Sequence, residues 1–231
     1  MSIPKKIHYV WVGGKDKPKN IKKCMKTWNN YLKDYEIKEW NENNFDIYSH
    51  PFTKSAYKAK KWAFVSDYIR AYAIYNEGGI YFDTDIILVD KIDDLLKNKA
   101  FVGFENDTHP FTAVFGAERK HPFIKEILDY YDSCDTLFNF ENNNTLSVSN
   151  MLIEKYGCKT GNIDQELKTG IKVYKSEILC NPSPESKTIH VFTGTWLDGD
   201  KKIKKKINEL IKIRLTNKKR INLYLKFIKK R

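Results

Sequence analysis

The stretch from Gly78 to Asp85, with the sequence GGIYFDTD, constrains this chain more than any other feature. A short apolar run after two glycines is typical of a buried strand, and this one ends in two carboxylates that are one residue apart. In an open α/β sheet, ligands bind just beyond the carboxyl ends of the strands. Two acidic groups at such an edge can hold a hard divalent cation against a diphosphate. The stretch therefore indicates an enzyme that breaks the sugar–phosphate bond of a nucleotide sugar.

Strand and helix patterns alternate along the first 200 residues. Helical spacing of apolar residues is clearest over residues 58–77, which end at the glycine pair. The predicted strands are residues 3–12, 35–40, 80–82, 100–104 and 112–115, and the predicted helices are residues 21–32, 58–77, 122–131 and 147–156. This alternation predicts an α/β fold with a mostly parallel mixed sheet flanked by helices.

The positive charge is concentrated at the end of the chain. The protein has 41 Lys and Arg against 29 Asp and Glu, and residues 201–231 hold 14 of the basic residues but one acid, Glu209. The 27 basic and 28 acidic residues that remain make the body nearly neutral, so no nucleic-acid-binding surface is expected on it. The change in composition predicts a catalytic domain over residues 1–199 and a basic helical tail over residues 200–231.

The tail has apolar residues at helical spacing between its lysines. Ile203, Ile207 and Leu210 share one predicted helical face, as do Ile221 and Leu225. Three hypotheses follow. The tail packs its apolar edge on the domain, it lies on an anionic membrane surface, or it binds nucleic acid.

Sequence features that report on the compartment favour the cytoplasm. The four cysteines are scattered without a CxxC pair, the N-terminus lacks the apolar core of a secretory signal, and no run reaches the roughly 20 apolar residues of a membrane span. We expect a cytoplasmic protein, and the tail adds the hypothesis of peripheral association with the inner face of the membrane.

Other candidate site residues lie in the predicted helix and at strand ends. Asp67 and Arg70 are three residues apart on a helix that is apolar nearly all round, so the pair is either a surface ion pair or points into a cleft, where it can hold sugar hydroxyls. Trp11 precedes Gly13-Gly14 and is either a core residue or a platform for a nucleobase. His190 is a lone histidine that would have to fold back to reach a cation.

Competing chemistries fit the sequence less well. Glycosidases also use two acids, but carboxylates one residue apart suit a cation better than the two sides of a glycosidic bond. The sequence has neither a P-loop nor a GxGxxG motif, which disfavours NTPases and dinucleotide enzymes.

Four segments together resemble the family-32 glycosyltransferases. They are residues 3–14 (IPKKIHYVWVGG), 66–70 (SDYIR), 78–85 (GGIYFDTD) and 190–196 (HVFTGTW). This family includes bacterial capsular polysaccharide sugar transferases and fungal initiating mannosyltransferases, and it is related to the catalytic domain of large clostridial glucosylating toxins. The resemblance implies a GT-A fold, a nucleotide-sugar donor, manganese or magnesium as the divalent cation, and retention of the anomeric configuration.

The resemblance also implies roles for individual residues. Asp83 and Asp85 are metal ligands together with His190, and Asp67, Arg70, Asp83 and Asp85 form the catalytic set. The nucleotide-sugar contacts are Val10, Trp11, Asn43, Ser66, Asp67, Arg70, Tyr81, Asp83, Thr84 and Trp196. Many relatives have two consecutive histidines where this chain has Ile189-His190, and Ser-Trp where it has Thr195-Trp196.

Three functions remain open. The first is a glycosyltransferase that uses a UDP-sugar, with GDP as the alternative nucleotide, and that acts on a glycan or lipid-linked saccharide in cell-surface polysaccharide biosynthesis. The second is a toxin-like protein glycosyltransferase. The third is a non-catalytic module that binds membranes or nucleic acid.

Overall fold

The computed structural model describes residues 3–134, 144–194 and 203–228, with the side chains of residues 203–205 left out. The strands are β1 (Lys6–Val10), β2 (Glu36–Trp40), β3 (Gly79–Phe82), β4 (Ile86–Leu88), β5 (Ala100–Gly103), β6 (Val114–Ala117), β7 (Gln165–Glu166), β8 (Ile171–Tyr174) and β9 (Thr188–His190). The helices are α1 (Lys19–Lys26), α2 (Pro51–Lys58), α3 (Trp62–Glu77), α4 (Pro122–Asp132), α5 (Asn144–Glu154), α6 (Ser176–Leu179), α7 (Ile203–Lys212) and α8 (Lys218–Ile228).

The centre of the molecule is a seven-stranded sheet with the order β2-β1-β3-β6-β5-β8-β7. β1 is parallel to β2 and β3, and β5 is parallel to β8, whereas β6 runs antiparallel between β3 and β5. The predicted α/β class with a mixed sheet flanked by helices is confirmed. Parallel pairs make up half of the sheet rather than most of it, because β6 returns beside β5 and β7 is antiparallel to β8.

Each face of the sheet packs a separate hydrophobic cluster. Ile7 and Tyr9 lie in the cluster with Trp28 of the 3-10 turn after α1, and Val10 and Val12 lie in the cluster with α2–α5. This division follows the alternation of a strand, in which successive side chains point to opposite faces.

The helix predicted over residues 58–77 is α3, which begins four residues later, at Trp62, because Lys58 is the last residue of α2. Lys60 has a φ of 57° between α2 and α3, and this left-handed residue ends the first helix before the second begins at Trp62. Gly78 has a φ of 67° at the end of α3, as expected of a glycine that stops a helix. The helix predicted over residues 21–32 is α1, which ends earlier than predicted, at Lys26, and a 3-10 turn follows it.

A second sheet, formed by β4 and β9, was not predicted from the sequence. The two strands have three residues each and pair antiparallel, with Ile86 opposite His190. Apolar runs of three residues show too little periodicity to be recognised as strands in the sequence. Their pairing becomes evident only in the folded structure. The sheet matters because it begins directly after Asp85.

The helices α7 and α8 pack on this small sheet. Leu215 and Ile221 are buried in one cluster with Ile87 and Ile189, and Asn20 donates a hydrogen bond of 2.8 Å to Glu209. The predicted boundary between residues 199 and 200 lies outside the described residues. No helix within the described ranges has the length and apolar character needed to cross a bilayer.

His8 joins β1, β2 and the glycine turn in the core. Trp40 Nε1 donates to His8 Nδ1 at 2.9 Å, so His8 Nε2 carries the proton and donates to the Gly78 carbonyl oxygen at 2.8 Å. A Cβ on Gly79 would lie 2.6 Å from the Lys6 carbonyl oxygen, so the backbone approaches β1 too closely for a larger residue. Burial lowers the pKa of His8 to about 4.

The neutral His8 predicts a specific pH dependence of stability. Because its pKa is lower in the folded state than in the unfolded chain, its contribution is complete above pH 6.5 and is lost as the pH falls towards 4. We expect the free energy of unfolding to fall by about 2 kcal/mol more in the wild type than in His8→Gln between pH 7 and pH 5. Urea unfolding at several pH values measures this, with His109→Gln as the control. Parallel profiles for wild type and His8→Gln would contradict the assignment.

Candidate metal and donor site

The two strand ends that meet at one edge of the fold bring Asp83, Asp85 and His190 together. Each of the three side chains offers a ligand atom, and these atoms all lie within 4.8 Å of one another. Asp83 and Asp85 follow β3, and the antiparallel register of β4 with β9 places His190 beside them. The structure therefore brings together the three metal ligands that the resemblance implies.

Asp85 is buried and held in one orientation. Its Oδ2 accepts hydrogen bonds from the Thr193 backbone N–H at 2.8 Å and from Thr193 Oγ1 at 3.0 Å, and its Oδ1 lies 3.3 Å from His190 Nε2. Burial by itself would raise the pKa of Asp85, but His190 and Thr193 hold it below the usual range. The carboxylate is therefore ionised and pre-oriented.

His190 is protonated in this arrangement. Burial opposes the charge, but attraction to Asp85 raises the pKa of the imidazole well above its ordinary value. Its ring packs against Phe192 with a centroid separation of 3.8 Å, and its Nδ1 is buried without a hydrogen-bond partner among the described residues. A cation that binds here must displace the proton on His190, so its affinity should rise with pH.

The chemistry of these groups fits a divalent cation. Two carboxylates and one imidazole are a donor set that favours manganese over magnesium. Thr193 acts as a positioning group for the carboxylate of Asp85, the kind of outer contact that metal ligands in proteins usually have.

A second cluster, centred on Arg70, adjoins the metal ligands. Arg70 Nη2 lies 3.0 Å from Asp67 Oδ1 and 3.3 Å from Asp83 Oδ1, and its guanidinium lies 4.7 Å from the ring centroid of Tyr81. Asp67 and Arg70 are both buried, which rules out the ordinary surface ion pair. Burial raises the pKa of Asp67 to about 6 against the opposing effect of Arg70.

The hydroxyl of Tyr81 links this cluster to α3. It donates to Asp83 Oδ1 at 3.0 Å and lies 3.0 Å from Ser66 Oγ, while Arg70 Nη2 donates to the same Ser66 oxygen at 3.3 Å. Thr84 is half-buried between Asp83 and Asp85. The donor-binding residues predicted from α3 and β3 are thus brought together.

The predicted nucleobase residues lie along the same edge, after β1 and β2. Trp11 is half-buried, and its Nε1 donates to the Lys15 carbonyl oxygen at 2.6 Å. Val10 is buried in the core, whereas Asn43 is exposed in the turn after β2. A Cβ on Gly13 would lie 2.8 Å from the ring of Trp62, so this glycine has a packing role whatever its role towards a ligand.

Thr195 and Trp196 lie outside the described residues. The predicted contact of Trp196 with the diphosphate therefore stays a prediction.

Sequence reasoning missed Glu105, the acidic residue that follows β5. Because β5 and β3 are both antiparallel to β6, their carboxyl ends lie at the same edge of the sheet. Burial raises the pKa of Glu105, and the opposing effects of His190 and His109 indicate that its carboxyl group lies near these two imidazoles. The sequence could have indicated this residue, because Glu105 directly follows the strand predicted over residues 100–104.

Part of the chain matches a known protein family. Residues 18–102 match the family described as "Glycosyltransferase sugar-binding region containing DXD motif". The predicted resemblance to DXD glycosyltransferases is confirmed. The matched region contains Asp67, Arg70, Asp83 and Asp85, and His190 lies beyond it.

One curated relative and two solved structures are similar over parts of the chain. Inositol phosphoceramide mannosyltransferase 3 of Schizosaccharomyces pombe is 26% identical over 131 residues, which cover 55% of this chain and 36% of that protein. The structure of the PaToxG glycosyltransferase has a TM-score of 0.49 at 18% identity and covers 67% of this chain and 69% of its own. The apo form of the glycosyltransferase GlyE from Streptococcus pneumoniae TIGR4 has a TM-score of 0.47 at 10% identity, over 97% of this chain and 63% of its own.

The burial of the Arg70 cluster predicts a large loss of stability when its cation is removed. Arg70→Met leaves Asp67 and Asp83 without their shared partner, and breaking a buried ion pair in this way costs about 3 kcal/mol. Urea unfolding at pH 7 measures the loss, and the exposed Arg119→Met is the matched control. A loss no greater than that of Arg119→Met would show that the cluster is solvated.

Proposed function

We propose that the protein is a metal-dependent, retaining glycosyltransferase that transfers a hexose from a nucleotide sugar to a hydroxyl group. The observation that carries the proposal is the cluster of Asp83, Asp85 and His190 beside Arg70, within a chain whose DXD region matches a glycosyltransferase family. A UDP-sugar is the favoured donor. The acceptor is a glycan or a lipid-linked saccharide in the biosynthesis of a cell-surface polysaccharide such as a capsule.

The metal site would be formed by Asp83, Asp85 and His190. A divalent cation, manganese or magnesium, supplies positive charge to neutralise the departing nucleoside diphosphate. Thr193 keeps the Asp85 carboxylate ionised and fixed before the donor arrives, so little reorganisation is needed during the reaction.

The Arg70 cluster would orient the sugar. A guanidinium has five N–H donors in a fixed plane, so Arg70 can hold Asp67 and Asp83 and still donate to a hydroxyl group. Carboxylate oxygens accept from the same hydroxyls. Val10, Trp11 and Asn43 would bind the nucleoside, Ser66, Tyr81 and Thr84 would complete the donor pocket, and Trp196 would cover the diphosphate.

Retention is proposed to occur by attack from the side of the leaving group. Asp67 and Asp83 both pair with Arg70, which reduces their nucleophilicity. This pairing supports the direct mechanism over a covalent intermediate.

The fungal relative supports a lipid acceptor. Its name describes transfer of mannose to inositol phosphoceramide, so mannose and a guanosine donor are the second choice for this chain. A toxin-like transfer to a protein is the alternative acceptor class. A non-catalytic module is disfavoured, because burying several charged groups is costly unless they serve a site.

The proposal predicts metal-dependent cleavage of a nucleotide sugar. We expect the purified protein to release UDP from at least one UDP-sugar with manganese, to stop when a chelator is added and to recover with excess manganese. Asp85→Asn should lower turnover by about 100-fold, because it removes a ligand and its charge.

The control for this experiment is Asp16→Asn, which changes an exposed carboxylate. Coupled detection of released UDP or GDP measures turnover across a panel of donors. Full activity of Asp85→Asn, or equal turnover in chelator, would overturn the metal assignment.

An anionic membrane surface is the proposed site of action. Ile207, Leu210 and Leu223 on α7 and α8 are at least half exposed, and they lie among exposed basic residues such as Lys219 and Lys226. A groove of about 780 Å³ between the two helices has the lining residues Ile211, Arg214, Leu215, Arg220, Leu223, Tyr224 and Phe227. Apolar side chains beside positive charge suit the interface of an anionic bilayer.

We place the enzyme in the cytoplasm, at the inner face of the membrane. Three of its cysteines, Cys24, Cys158 and Cys180, are buried thiols, which suits a reducing compartment. No nucleic-acid partner is proposed.

Point substitutions test the membrane proposal without removing the helices from the domain. We expect the wild type to float with vesicles of phosphatidylcholine and 30% phosphatidylglycerol, and Leu210→Asp/Leu223→Asp to remain in the soluble fraction. Ile163→Asp, which changes an exposed apolar residue elsewhere, should bind like the wild type. Flotation of the double variant with these vesicles would reject the lipid surface as the partner.

A further inference from the structure

The helix α7 reaches the candidate metal site through Lys212. Lys212 Nζ donates a hydrogen bond of 2.8 Å to the His190 carbonyl oxygen, and it lies 4.5 Å from the ring centroid of Phe192. The same lysine therefore contacts both residues that shape the imidazole end of the site.

The segment that Lys212 holds contains a strained residue. Phe192 has a φ of 61°, which places an aromatic residue in the left-handed region at a cost of about 1–2 kcal/mol. Such a conformation persists only where neighbouring groups stabilise it. Lys212 provides a hydrogen bond on one side of the strained residue and a cation–π contact with its ring.

Phe192 and the residue that follows it orient the proposed ligands. The Phe192 ring packs on the imidazole of His190, and the next residue, Thr193, donates both of its hydrogen bonds to Asp85. A change in the backbone at Phe192 would thus move two of the three groups in the metal cluster.

We infer that Lys212 is a positioning residue of the metal site, which it maintains by clamping the segment from His190 to Thr193. The inference rests on the proposed function, because it concerns the same cation. It makes the first helix of the basic tail part of the catalytic machinery, whatever the tail does at a membrane.

The sign of the effect on metal affinity separates positioning from simple electrostatics. The charge of Lys212 interacts with those of Asp85 and Glu105, so as a mere neighbouring charge it would oppose a bound cation. Removing it would then tighten manganese binding. If Lys212 instead holds the ligands in place, its removal weakens binding.

The experiment measures the dissociation constant for manganese by the electron paramagnetic resonance signal of the free ion. We expect Lys212→Met to raise it by about 10-fold, the usual effect of losing a group that orients a metal ligand. Lys212→Arg keeps the charge and a donor and should stay within about 3-fold of the wild type. Lys206→Met, which changes an exposed lysine of the same helix, should have no effect.

Phe192→Leu provides a second route to the same result. It removes the ring between Lys212 and His190 while leaving the lysine in place, so it should also weaken manganese binding. If Lys212→Met does not fold, this variant still tests the inference. Unchanged or tighter binding in folded Lys212→Met, or no effect of Phe192→Leu, would overturn the inference. A wild type that binds no manganese would instead reject the proposed function itself.

Discussion

The ion pair between Asp85 and His190 is the interaction on which the rest of the site depends. Two short strands place these residues side by side, and neither charge could be buried there without the other. A cation that takes the place of the proton between the two residues would use both side chains as ligands.

The neighbouring Arg70 cluster has more negative than positive charge. One guanidinium serves the two carboxylates of Asp67 and Asp83, so negative charge is in excess and the edge of the sheet attracts a cation. The raised pKa of Asp67 reflects this crowding as well as burial. A donor that brings a diphosphate and sugar hydroxyls would complete both clusters at once, which is a physical reason for a metal and a nucleotide sugar to bind together.

The parts of the site that lie within single segments could be predicted, and those that depend on tertiary register could not. The spacing of Asp67 and Arg70 on a helix and the position of Asp83 at the end of a strand are local patterns, and the structure places these residues together. The position of His190 depends on a three-residue strand pairing with another, and Phe192 depends on a left-handed backbone that an aromatic residue rarely adopts. Glu105 lies between these cases. The strand before it was predicted, but its place at the same sheet edge as Asp83 depends on the antiparallel pairing of β6 with β3 and β5.

Packing of the basic tail on the domain leaves another side of α7 exposed, so two hypotheses that the sequence presents as alternatives are compatible. Glu209 and Lys212 of α7, and Ile213 directly after it, face the domain, whereas Ile207 and Leu210 on the opposite side of the helix are exposed. This division follows the period of an α-helix, which places residues three and four apart on the same face. Deleting the tail would therefore remove Lys212 from the candidate metal site together with the exposed apolar side chains, so loss of activity after deletion would not test membrane binding. Substitutions on one face at a time separate the two, because the face packed on the domain and the exposed face carry different residues.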